Sequence, residues 1–124
     1  MPHDSDRDSL TEWFHELANR SQDEIRDQAI PANFDKLRLH IQRSVPECSL
    51  PPDLTKEQFA EVVHEFRKNE SSWNQATMAS LIRADDLFNE GLVHEAVQEL
   101  HRFAASCPWS LFKEVALNQA AHYQ

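Results

Sequence analysis

The sequence predicts an all-α protein, a compact bundle of about seven helices. The chain has one glycine among 124 residues, whereas β-hairpin turns and phosphate-binding loops need several glycines at fixed positions. Apolar residues recur with the helical period through most of the chain, and no segment alternates as a half-buried strand would. Ser or Thr followed three residues later by Glu or Gln, the spacing of a capping box, begins several of these apolar runs.

Three helices are predicted in the first third of the chain, after a disordered acidic tail over residues 1–8. The first helix begins at Ser9, and its apolar residues recur at i, i+3, i+4 and i+7. They are Leu10, Trp13, Phe14 and Leu17. Ser21 begins a second, short helix that ends before Pro31, because proline excludes the preceding residue from helical geometry. A third helix over residues 33–44 has Phe34, Leu37 and Ile41 on its apolar face.

A connector and two further helices follow. Residues 46–54 contain three prolines and no periodicity, so they form a Pro-rich connector within a single helical domain over residues 9–124. Thr55 begins the fourth helix, with Gln58 at the capping distance. Its apolar residues are Phe59, Val62, Val63 and Phe66. The polar run 67–72 is expected to end this helix, and the fifth helix then occupies residues 72–89.

The C-terminal half is predicted to contain a helical hairpin and a last helix. The fifth helix carries Met78 and Ile82 on a second apolar side, which indicates a central position in the bundle. Gly91 lies where a left-handed helix cap is expected. The sixth helix, residues 92–106, is predicted to bury Leu92, Val93, Ala96, Val97, Leu100 and Phe103. The seventh helix begins near Pro108 and is predicted to bury Phe112, Val115, Ala116 and Tyr123.

Residues 78–109 resemble one tetratricopeptide repeat, a helix-turn-helix of about 34 residues. The matching residues are Ala84, Leu87, Gly91, Glu95, Ala96, Leu100, Phe103 and Pro108. Ser80 stands where the family commonly has an aromatic residue, and Phe103 where it usually has a small one. The resemblance covers about a quarter of the chain and implies a scaffold that holds another protein or peptide, without chemistry of its own.

The chain is acidic, with 12 basic against 21 acidic side chains and a net charge of −9. This balance disfavours nucleic acid and anionic membranes as partners. The first 30 residues hold eight acids against three bases, and residues 85–99 hold five acids without Lys or Arg. We predict that these five bind a basic protein partner: Asp85, Asp86, Glu90, Glu95 and Glu99. The alternative is that they serve solubility alone.

Two Glu-x-x-His motifs have the spacing found in di-iron helical bundles. They are Glu12 with His15, and Glu61 with His64. At about 100° per residue, each pair falls opposite the apolar stripe of its helix. A solvated face with salt bridges is therefore expected rather than a metal site, and no cofactor is predicted.

Other routes to catalysis have little support in the sequence. The serines mostly stand at helix starts, where capping explains them. Cys48 and Cys107 are 59 positions apart and match neither a zinc motif nor a disulfide framework, so free thiols are expected. The polar, acidic N-terminus does not resemble a signal peptide, and no stretch approaches the roughly 18 apolar residues of a membrane span. A cytoplasmic location is expected.

These observations predict a non-enzymatic protein-binding domain that uses an acidic helical face. One concrete form is an immunity or antitoxin-type inhibitor of a basic toxin such as a nuclease. Two alternatives remain open: a metal-dependent helical-bundle enzyme built on the Glu-x-x-His pairs, and a tetratricopeptide-like adaptor that binds a peptide. The basic residues of the third helix, Lys36, Arg38, His40 and Arg43, are too few to outweigh the acidic charge.

Overall fold

A computed structural model describes residues 2–124, with side chains from Ser9 onward. The described part of the chain is all-α, as predicted, with six helices and no strand. The helices are α1 Pro2–Ala18, α2 Gln22–Asp27, α3 Pro31–Ser44, α4 Lys56–Asn89, α5 Val93–Ser106 and α6 Ser110–Tyr123. The side chains of the predicted disordered tail, residues 1–8, lie outside the described part, and α1 begins at Pro2 rather than at the predicted Ser9. No helix within 2–124 combines the length and apolar character that crossing a membrane requires.

The count is six rather than seven because the predicted fourth and fifth helices are one. Helix α4 continues through the polar run 67–72, where the sequence suggested a break. The run contains neither glycine nor proline, and Arg, Lys and Glu are good helix formers. Most of the polar side chains in this run are exposed to solvent. They therefore interrupt the apolar stripe of the helix but do not end the helix.

The chain divides into two compact units, Met1–Asn69 and Glu70–Gln124. The first contains α1, α2, α3 and the start of α4, and the second contains the rest of α4 with α5 and α6. The single helical domain over residues 9–124 stays a prediction.

The first unit has an apolar core supplied by all four of its helical segments. Its largest buried side chains are Phe14, Leu17, Ile25, Leu37, Ile41, Phe59, Val63 and Phe66. The imidazole of His40 is also buried and stacks on the ring of Phe14, with 4.5 Å between ring centroids. The phenyl ring of Phe66 packs edge-on against both rings. His40 therefore belongs to the core and not to a basic surface.

Local signals for two helix starts in this unit are confirmed. The Ser21 hydroxyl accepts from the backbone amide of Glu24, whose carboxylate accepts from the Ser21 amide. Thr55 and Gln58 exchange the same pair of hydrogen bonds at the start of α4. Such reciprocal bonds satisfy amides that the first helical turn leaves without partners. Pro31 is the first residue of α3, where its missing amide hydrogen costs nothing.

The second unit packs α4, α5 and α6 around small and aromatic residues. Its buried side chains include Ala84, Ala96, Val97, Leu100, Phe103, Ala104, Trp109, Phe112, Ala116, Ala120 and Tyr123. Three residues predicted to be buried are instead about 40% exposed: Leu92, Val93 and Val115. Leu92 is the N-cap of α5 and Val93 its first residue, so both lie at the end of the helical hairpin.

The second apolar side of α4 is also exposed. Met78 is 53% and Ile82 58% accessible to solvent, although the sequence pattern indicated a central, covered helix. In the second unit α4 contacts its neighbours through another face, which carries the buried residues Thr77, Ser80 and Ala84. Helix α4 therefore has apolar residues on two sides, but only one of these sides is buried.

Candidate partner-binding surface

The hairpin between α4 and α5 is shaped by a glycine cap. Gly91 has φ = 84°, in the left-handed region that favours glycine. The amide of Gly91 donates to the carbonyl of Phe88, and the amide of Leu92 donates to the carbonyl of Leu87. These two bonds form a Schellman motif, which satisfies the last carbonyls of α4. The predicted role of Gly91 is confirmed.

The structure separates the five predicted binding acids into two groups. Asp85, Asp86, Glu90 and Glu95 are exposed along the end of α4 and the start of α5. Glu99 is only 9% exposed, although the sequence predicted it as part of an acidic helical face that binds a partner. Counted at about 100° per residue from buried Ala96, Glu99 lies about 40° from buried Phe103, and this spacing was the available sequence signal.

Glu99 is the centre of a polar cluster that sequence reasoning missed. Its Oε2 atom accepts from the Ser80 hydroxyl at 2.8 Å and from Arg83 Nη2 at 2.8 Å and Nε at 3.2 Å. Its other oxygen accepts from Arg102. Ser80, the residue that departs from the tetratricopeptide pattern, is fully buried and supplies the hydroxyl of this cluster.

The cluster keeps Glu99 ionised. Burial alone raises the pKa of Glu99, but hydrogen bonds from Arg83, Ser80 and Arg102 outweigh burial and hold that pKa below the usual value. The negative charge of Glu99 is therefore already matched within the protein by two arginines. Glu99 stabilises the second unit and offers little to an external partner.

Asp85 also accepts two hydrogen bonds within the protein, and both donor groups are uncharged. Its Oδ1 atom accepts from the Tyr123 hydroxyl at 3.2 Å, and its Oδ2 atom accepts from the Asn89 amide group at 3.3 Å. The Tyr123 ring stacks on Phe88 with 4.4 Å between centroids. These contacts position Asp85 without neutralising its charge.

Exposed apolar side chains lie beside the exposed acids at the hairpin turn. Phe88, Leu92 and Val93 are each about 40% exposed. We define the acidic tip as the exposed residues of this turn and its flanks. Its members are Asp86, Phe88, Glu90, Leu92, Val93 and Glu95. Aromatic and aliphatic groups that are surrounded by polar groups are typical of residues that anchor protein interfaces.

The Glu-x-x-His motifs lie on other surfaces of the first unit. Glu12 and Glu61 are exposed, and His15 and His64 are partly buried. His64 is engaged locally, since Nδ1 lies 3.0 Å from Gln22 Oε1 and Nε2 lies 3.3 Å from the Arg20 carbonyl. Among the residues described, no three His, Cys, Asp or Glu side chains converge closely enough to hold one metal ion.

The basic residues of α3 make contacts within the first unit. Arg38 Nη2 donates to the carbonyls of Pro51 and Pro52, which fastens the Pro-rich connector to the helix. The Lys36 ammonium lies 5.5 Å from the centre of the Trp13 ring, within the range of a cation–π contact. Two basic side chains of this helix, Arg38 and Lys36, are therefore used in contacts within the first unit.

Both cysteines are free thiols. Cys48 is partly exposed, whereas Cys107 is buried. Burial raises the pKa of the Cys107 thiol, which lowers its thiolate fraction at neutral pH. Because the thiolate is the reactive form, Cys107 is a poor nucleophile.

The comparisons with known proteins give this surface no counterpart. No family model, no curated protein and no solved structure matches the chain.

Proposed function

We propose that the chain is a non-enzymatic protein-binding domain whose acidic tip binds a basic protein partner. The observation that carries the proposal is the composition of the tip. Three exposed carboxylates, Asp86, Glu90 and Glu95, flank the exposed apolar residues of one glycine-capped turn. No arginine or lysine occurs between residues 84 and 101.

The two kinds of side chain have separate roles in this proposal. The carboxylates attract a basic surface over about 10 Å and so raise the association rate. The apolar residues are removed from water in the complex and so slow its dissociation. The Schellman turn holds both sets before binding, which reduces the entropy lost on association.

A specific form of the proposal is an immunity or antitoxin-type inhibitor. In that form the acidic tip covers the positively charged surface with which a nuclease holds its substrate. The small size and the net charge of −9 support this form. A cytoplasmic location is part of the same proposal, because a toxin made in the cell must be neutralised there.

The test compares two triple charge reversals. The first is Asp86→Lys, Glu90→Lys and Glu95→Lys in the acidic tip. The matched control is Glu57→Lys, Glu61→Lys and Glu65→Lys, which changes the net charge equally at three exposed positions of α4 in the first unit. Each purified chain is used to capture proteins from a lysate of the source organism, at rising salt concentration.

We expect the unmodified chain to retain a basic protein that is released as salt increases. The tip variant should lose this protein, and the control variant should retain it. If both variants retain it equally, or both lose it, the acidic tip is not the binding surface.

A further inference from the structure

A groove lies between α4 and α6 in the second unit, beside the acidic tip. It is lined by Leu81, Ile82, Asp85, Gln119 and Tyr123, and its volume is about 320 Å³. The chain reverses direction twice between α4 and α6, once before α5 and once before α6. Helix α6 therefore runs in the same direction as α4. The contact of Tyr123 near the end of α6 with Asp85 near the end of α4 agrees with this direction.

Exposed apolar residues extend the groove by one turn on each helix. Met78 lies four residues before Ile82 on α4, and Val115 lies four residues before Gln119 on α6. Residues four apart share a helical face. Met78 and Ile82 are more than half exposed, and Val115 is 36% exposed. The apolar surface therefore covers about two helical turns, or about 10 Å.

Among the described residues that line the groove, Asp85 is the charged one, and it lies at one end. Asp85 lies seven residues after Met78 on the same side of α4, and its two described contacts are with neutral groups. The nearest arginine in sequence, Arg83, binds Glu99 instead. The surface thus presents two turns of apolar side chains followed by an uncompensated carboxylate.

We propose that this groove binds an amphipathic helix of another protein. Two apolar side chains one turn apart would pack on Met78 and Ile82, and a Lys or Arg one turn further would pair with Asp85. Helices bound in grooves use this i, i+4, i+7 spacing of anchors. A second copy of the chain fits less well, because each copy carries a net charge of −9 and the groove itself is acidic.

The inference rests on the proposed function in one respect, namely that the partner is basic. It adds the kind of structure that binds and a surface separate from the acidic tip. The two surfaces can therefore fail independently.

The test uses two synthetic, fluorescein-labelled helical peptides as probes. Both carry the same leucine stripe at i, i+4 spacing, and one has lysine where the other has glutamate. Fluorescence anisotropy gives the affinity of each peptide for the full chain. We expect the lysine peptide to bind and the glutamate peptide to bind at least about tenfold more weakly, because glutamate loses the charge pair and is also repelled by Asp85 and by the net charge of −9.

Ile82→Asp separates apolar docking from simple attraction between charges. This substitution makes the chain more acidic, so an electrostatic interaction alone would bind the lysine peptide more tightly. Docking in the groove predicts the opposite, a loss of about tenfold or more. The control Leu117→Asp adds the same charge at a leucine that is 45% exposed on another side of α6, and it should not weaken binding.

Three outcomes would overturn the inference. The first is that Ile82→Asp binds the lysine peptide as tightly as the unmodified chain. The second is that the tip reversal abolishes peptide binding while Ile82→Asp does not, which would leave the proposed function standing. The third is that the unmodified chain sediments as a dimer which Ile82→Asp dissociates, because the occupant would then be a second copy. Loss of binding in Ile82→Asp with full binding in the tip variant would support the groove, and the acidic tip would still be tested separately by the charge reversals above.

Discussion

Replacing Glu99 with glutamine tests whether the buried carboxylate stabilises the second unit. The substitution keeps the size of the side chain and removes its charge. Arg83, Arg102 and Ser80 all donate to this carboxylate. A glutamine side chain has only one acceptor oxygen. Its NH2 group would face one of the groups that donate to Glu99, and two donors cannot form a hydrogen bond with each other.

The expected loss follows from the exposure of the partners. A hydrogen bond to a charged group contributes about 1.5–3 kcal/mol, whereas exposed ion pairs contribute about 0–1 kcal/mol. The guanidinium side chains of Arg83 and Arg102 are 55% and 71% exposed, so their contribution is screened. Ser80 is fully buried. We therefore expect Glu99→Gln to lower the free energy of unfolding by about 1–2 kcal/mol, which lowers Tm by about 4–8 °C in a domain of this size.

The same prediction has a pH dependence. The pKa of Glu99 is lower in the folded protein than in the unfolded chain, so its stabilising effect is present above the unfolded pKa of about 4.3. The effect is lost as the pH falls through the folded pKa. Urea unfolding followed by circular dichroism should thus show the full difference between the two proteins at pH 7 and a smaller one below pH about 4.

Glu95→Gln is the control, since Glu95 is exposed and lies one turn earlier on α5. Its unfolding free energy should stay within about 0.5 kcal/mol of the unmodified chain. The account of Glu99 is wrong if Glu99→Gln is equally harmless. It is also wrong if the difference between the two proteins stays constant as the pH is lowered.

Two further predictions concern the turn and the thiols. Gly91→Ala should lower the free energy of unfolding by about 1 kcal/mol because of its positive φ, while Gly91→Asn should cost less. The glycine cap would be contradicted if urea titration showed Gly91→Ala to be as stable as Gly91→Asn or more stable. Cys48 should react with a thiol reagent in the folded protein, whereas Cys107 should react only on unfolding. Mass spectrometry of the labelled chain tests this order, and labelling of Cys107 before Cys48 would contradict it.

Features set by neighbouring residues were the easiest to predict from sequence. The capping bonds of Ser21 with Glu24 and of Thr55 with Gln58 depend on residues three apart. The left-handed turn at Gly91 depends on the one residue type that adopts it without strain. The buried faces of α1 and α3 followed from helical periodicity, because each has one apolar side.

Features set by distant residues were missed. Glu99 meets Ser80 and Arg83 across two helices, 19 and 16 positions earlier in the chain, and no local pattern encodes that meeting. The exposure of Met78 and Ile82 was missed for a related reason. An apolar side predicts burial only if another element covers it, and the sequence does not specify where the neighbouring helices lie.

The candidate surface was predicted in part. Asp85, Asp86, Glu90 and Glu95 are exposed, as a binding surface requires, and Glu99 is not. The apolar part of the acidic tip was not predicted, because Leu92 and Val93 fit the core face of α5 by period alone. Their position at the end of the hairpin leaves them in solvent.

The association rate constant of the chain with its captured basic partner tests the central claim most directly. Surface plasmon resonance would measure it for the unmodified chain, the tip reversal and the matched reversal at residues 57, 61 and 65, over a range of salt concentrations. We expect the tip reversal to lower the rate constant by at least about tenfold at low salt and to weaken its salt dependence, because the steering charges are lost. The matched reversal should change the rate constant far less. Equal rate constants for the two variants would contradict the claim that the acidic tip binds the partner.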